Sequence, residues 1–110
     1  MPERDEIPPG TLDMLILKTL ARGGQQHGYE IANSIQQISR EILEVEEGSL
    51  YPALQRMLIK GWATAEWGVT KGNRRARYYR LTRAGRKRLE SELDQFRRVS
   101  RAIFRVIESS

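Results

Sequence analysis

Between Gly68 and Arg88 the chain carries nine Lys or Arg residues and not one Asp or Glu. Just before this run, Leu50, Leu54, Met57 and Leu58 recur at helical spacing, so one face of that segment packs inward. Gly61 ends the helix. A strand is predicted over Trp62–Trp67, a turn over Gly68–Asn73 and a second strand over Arg74–Leu81. Side chains alternate along the second strand, so Arg75, Arg77, Tyr79 and Leu81 share one face. Lys and Arg often do no more than blunt an exposed edge strand. Yet a surface shaped only for solubility mixes signs. An unmixed cationic hairpin implies an extended polyanion as partner, and duplex DNA fits that description.

A helix followed by a basic hairpin is the outline of a winged helix. Two more helices precede it. Leu12, Leu15, Ile16 and Leu20 mark one over Thr11–Arg22, after the punctuation of Pro8, Pro9 and Gly10, and Gly23–Gly24 closes it. Gln25–Gly28 reads as a turn. Ile31, Ala32, Ile35 and Ile38 mark another helix over Tyr29–Ser39. The acidic stretch Arg40–Glu47 could extend that helix or form a short edge strand, and its carboxylates should point away from phosphates. Ser49 is the expected N-cap of the third helix, with Pro52 tolerated in its first turn. The fold class is therefore mainly α with a small β-hairpin: a winged helix-turn-helix plus a long C-terminal dimerisation helix. Its parts are a flexible tail over residues 1–8, the winged-helix domain over 9–81 and the last helix over 82–110.

That last helix, capped by Thr82, has its own pattern. Leu89, Leu93, Phe96, Ser100, Ile103 and Ile107 are spaced 4, 3, 4, 3, 4, a heptad seam with one polar member. At 1.5 Å per residue it is roughly 39 Å long, more than a domain this small can cover. The seam is the expected homodimer interface. Two-fold pairing would set two recognition helices about one DNA turn apart, roughly 34–36 Å.

With 110 residues, the chain can bury one core. Net charge is +5 and the pI about 10, a balance that favours nucleic acid or an anionic surface. The absence of cysteine removes disulfides, thiolate metal sites and thiol nucleophiles. No apolar h-region follows the charged start, and the cluster Met14–Leu17 is too short for a bilayer. The expectation is a soluble, cytoplasmic protein with no membrane partner.

Outside its apolar stripe, the third helix offers Ser49, Tyr51, Pro52, Gln55 and Arg56. Hydroxyl, amide and guanidinium groups at the start of a helix are what major-groove reading requires; Arg pairs bidentately with guanine and Gln with adenine. Lys71, Arg74, Arg75 and Arg77 lie at or near the hairpin tip, suited to phosphates or the minor groove. One of Tyr78 and Tyr79 must be in the core, because a small domain cannot bury both faces of a strand. Of Trp62 and Trp67, one should brace the hairpin and the other be partly exposed. The lone His27, beside Gly28, reads as a turn or capping residue. No phosphate loop, metal spacing or nucleophile elbow is present, so no enzyme, metal or cofactor is expected.

The segments His27-Gly28-Tyr29-Glu30-Ile31, Gly48-Ser49-Leu50-Tyr51-Pro52-Ala53-Leu54 and Arg77-Tyr78-Tyr79-Arg80-Leu81-Thr82, the last followed by Ala84-Gly85, resemble the PadR family of bacterial transcriptional regulators. The likeness spans Thr11 to about Leu93. It implies a winged helix-turn-helix, a homodimer built through the C-terminal helix, and repression from near-palindromic operators. With one such helix, the chain looks like the family's short subgroup. By the same resemblance Ser49, Tyr51, Pro52 and Arg56 read bases, Tyr29 lies near the DNA backbone and Gly68–Arg77 is the wing. Some members release DNA on binding phenolic acids or flat drugs, so a small aromatic effector at the dimer interface is the alternative reading. Drug-binding members of the short subgroup place a tryptophan on the last helix. This chain has only Phe96 and Phe104 there.

Overall fold

The computed structural model describes residues 4–110; residues 1–3 of the expected tail lie outside that range. Four helices carry the fold: α1 (Leu12–Gly23), α2 (Gly28–Ile38), α3 (Glu47–Lys60) and α4 (Arg83–Glu108). Five strands complete it: β1 (Asp5–Glu6), β2 (Gln26–His27), β3 (Leu43–Glu44), β4 (Ala63–Val69) and β5 (Arg75–Leu81). The expected class, mainly helical with a small hairpin, is what forms. β4 and β5 pair antiparallel, with Trp67 opposite Arg77 and Ala65 opposite Tyr79.

The core lies where the apolar faces of α1, α2 and α3 meet the inner face of the hairpin. Ile16, Leu17 and Leu20 from α1, Ile31 from α2 and Leu50, Leu54 and Met57 from α3 are fully buried. Tyr79 and Leu81 close the core from β5, and Tyr78 stays half-buried on the other face. Tyr79 is thus the tyrosine that enters the core. Ile38, expected on the packed face of α2, is exposed because the helix ends there and the chain turns through positive φ at Arg40 and Glu41.

Several boundaries differ from the sequence expectations. Gln26–His27 is a strand rather than part of a turn, pairing with Tyr78–Tyr79 to make the sheet three-stranded. Two residues carry too little alternation to be seen in sequence; the pairing is imposed by β5 lying alongside. Of the two readings of Arg40–Glu47, the short edge strand forms, as β3. Its partner is Asp5–Glu6, in parallel register, so this part of the expected flexible tail is held in place. Gly68 and Val69 continue β4, and the turn narrows to Thr70–Arg74. It is closed by the Thr70 N–H donating to the Arg74 carbonyl at 2.8 Å.

Ser49 is not the N-cap of α3. The helix begins at Glu47, and the N–H groups of Ser49 and Leu50 both donate to the Glu46 carbonyl, at 3.0 and 2.9 Å. A carboxylate in the first turn complements the positive end of the helix dipole, which favours the earlier start. Pro52 is accordingly the sixth residue of α3, beyond the first turn. Proline has no N–H to give to the carbonyl four residues back, that of Gly48. The carbonyl left without that donor belongs to an exposed residue.

The start of α4 is as expected: Thr82 caps it, its hydroxyl accepting the Gly85 N–H at 3.0 Å. The helix has 26 residues and stretches the molecule to 57 Å along its longest axis.

Candidate nucleic-acid interface

The buried stripe of α3 decides what its other face presents. With Leu50, Ala53, Leu54 and Met57 turned inward, Ser49, Tyr51, Pro52, Gln55 and Arg56 are all exposed. Tyr51 and Gln55 stand four apart, as do Pro52 and Arg56, so the five form adjoining rows on the helix surface. Tyr51 is braced by α2. A Cβ on Gly28 would lie 3.1 Å from the Tyr51 ring and 3.2 Å from its hydroxyl oxygen, so glycine at the start of α2 lets the ring close in.

Arg56 does not stand free for base reading. Its Nη2 donates to Oδ1 of Asp13 on α1 at 2.8 Å, and that hydrogen bond raises the guanidinium pKa above its ordinary value. The pairing joins residues 43 apart, and no local signal reveals it. The ion pair ties α3 to α1, and reading guanine would require Arg56 to leave it.

Tyr29 projects into solvent from the first turn of α2. Beside it, His27 is the capping residue expected. Its Nδ1 accepts the Glu30 N–H at 3.4 Å, and the Glu30 carboxylate accepts the His27 N–H at 3.1 Å. The imidazole meets Tyr78 edge-on, with centroids 5.3 Å apart.

In the wing, Lys71 and Arg74 occupy the turn and Arg75 opens β5, all three exposed. Arg77 is half-buried next to the Tyr79 hydroxyl. Burial raises the pKa of that hydroxyl, and the adjacent Arg77 charge partly offsets the rise. Among the described residues the ion pairs engage Arg4, His27, Arg56 and Arg88, and none of the four wing cations. Those charges are uncompensated. Trp67 is exposed near the wing, whereas Trp62 is half-buried against the core with Arg88 stacked on its ring at 4.8 Å. Trp62 is therefore the bracing tryptophan.

The seam of α4 divides in two. Leu89 is buried in the chain's own core, and Leu93 is half-buried against that core. Leu89 was expected at the dimer interface; it is instead buried in the core, where α4 packs on α1. Phe96, Ile103 and Ile107 are exposed, flanked by Val99, Phe104 and Val106, and Ser100 is half-buried.

Among the described residues no His, Cys, Asp and Glu groups converge to hold a metal, and no helix is long and apolar enough to cross a membrane. Three helices, with a short strand between the first two and a basic hairpin after the third, define a winged helix-turn-helix protein. Residues 16–91 match the transcriptional regulator PadR-like family, and the chain belongs to it. A transcriptional regulator from Clostridium thermocellum is similar over 90% of this chain and 95% of its own, with 27% identity and a TM-score of 0.82. A PadR family regulator from Eggerthella lenta is similar over 92% of this chain and 85% of its own, at 26% identity and a TM-score of 0.78. The PadR of Bacillus subtilis, solved in complex with operator DNA, shares the fold at 24% identity and a TM-score of 0.67, over 78% of this chain and 48% of that one.

Proposed function

We propose that this regulator is a homodimeric, sequence-specific DNA-binding repressor. The observation that carries the reading is the pairing of two exposed features: a helix face bearing Ser49, Tyr51, Pro52 and Gln55, and a wing whose four cations have no acidic partner among the described residues. The helix supplies base-edge contacts. Lys71, Arg74, Arg75 and Arg77 supply phosphate or minor-groove contacts, and Tyr29 approaches the backbone. Dimerisation through Phe96, Ser100, Ile103 and Ile107 sets the two faces on one side of a near-palindromic duplex, and repression follows from occupying it. That the Bacillus subtilis relative was solved on operator DNA supports the partner proposed.

Selection from a random duplex pool tests this directly. The recovered sites should be inverted repeats with half-sites about 10 base pairs apart. Each phosphate neutralised should contribute about −0.9 to the slope of log affinity against log salt. A flat slope, or recovery of no duplex, rejects the reading.

A small aromatic effector is the second reading. Phe96 and Phe104, 45% and 59% exposed, would supply its flat apolar contacts between two copies of α4.

A further inference from the structure

Trp67 costs the protein an exposed indole, and the core gains nothing from it: the residue is 59% exposed. Its neighbours are cations. Trp67 faces Arg77 directly across the β4–β5 ladder, and Val69, also exposed, faces Arg75. All four lie on the face shared with Tyr79, beyond the point where the core ends. The Arg75 guanidinium carbon is 4.7 Å from the indole centroid and that of Arg77 is 5.8 Å from it, so one ring holds two cations. Neither arginine forms an ion pair among the described residues, and the Nε of Arg77 is buried without any hydrogen-bond partner. The ring is the contact the two guanidinium groups share, and Arg77 also lies next to the Tyr79 hydroxyl. Two like charges held on one ring repel, and a nearby anion would relieve that repulsion.

We propose that Trp67 is a positioning residue for DNA binding. It holds Arg75 and Arg77 against one ring before DNA arrives, so that both are restrained when they meet the phosphate backbone. Long flexible arginines lose rotamer freedom on binding; a ring that restrains them in the free protein removes part of that loss. The inference rests on the DNA-binding reading above.

The test uses the full chain and a labelled duplex recovered from a random pool by the wild type. Trp67→Leu keeps an apolar cross-strand residue but lacks the aromatic face. It should bind about tenfold more weakly, with a shallower salt slope although no charge has changed. Trp67→Phe and Trp67→Tyr should stay close to wild type. In an Arg75→Ala/Arg77→Ala background, Trp67→Leu should add nothing. A residue that served only hairpin stability would be satisfied by leucine and would leave the slope alone. Wild-type affinity and slope in Trp67→Leu overturn the proposal, as does an equal loss in the double-alanine background. If the wild type recovers no duplex, the DNA-binding reading itself falls.

Discussion

Gly85, in the first turn of α4, has no room for a side chain. A Cβ there would overlap the Trp62 carbonyl oxygen and sit 2.6 Å from a methyl of Leu81. The same carbonyl accepts the Thr82 N–H at 3.0 Å, and the Thr82 hydroxyl donates to the Gly61 carbonyl at 2.6 Å. One small junction therefore fixes how α4 leaves the hairpin. Because the obstacle is backbone rather than a flexible side-chain end, it cannot yield cheaply. Gly85→Ala should cost about 3 kcal/mol, read as a lower denaturant midpoint with unchanged slope. The residue scale also shows where sequence reasoning is blind. Arg56 has the right chemistry for guanine, but a carboxylate 43 positions away holds it. By contrast, His27 beside Gly28 was legible as a cap, since capping is decided within a few residues.

At the scale of elements, α4 does two jobs along its length. Leu89, buried in the core, belongs to the first. Leu89→Ala should destabilise the fold by about 2–5 kcal/mol through the lost burial and the cavity left behind, measured by chemical denaturation. The heptad spacing runs unbroken from Leu89 to Ile107, so periodicity alone cannot say where α4 stops packing on its own domain. That limit is set by how far α1 reaches. The same holds for α3. Its apolar stripe was plain in the sequence, but its start was not, because Ser49 has the chemistry of an N-cap while Glu46, which takes that place, makes no side-chain cap hydrogen bond.

The whole molecule ends in an exposed apolar stripe on a helix that outreaches the globular part. Ile103, 52% exposed, has little to lose within its own chain. Under the dimer proposed here, Ile103→Glu would place like charges against each other across the two-fold axis. Sedimentation should show the mass halve while the helical circular dichroism stays near wild type, and affinity for a palindromic duplex should fall steeply. A mass unchanged in Ile103→Glu would remove that stripe from the interface. The net charge of +5 adds across two copies, which strengthens attraction to a polyanion and steepens its salt dependence.

The sequence alone determined the order of helices and hairpin, the inward faces of α1 and α3, the cap at Thr82 and the unmixed charge of the wing. Each of these follows from spacing or residue chemistry within a turn or two of chain. Tertiary structure alone decided that Gln26–His27 and Asp5–Glu6 would be strands, that Arg56 would pair with Asp13, that Leu89 would enter the core and that Trp67 would hold two arginines. Those outcomes depend on segments distant in sequence meeting in space, and the cost of bringing them together is met by burying a shared core.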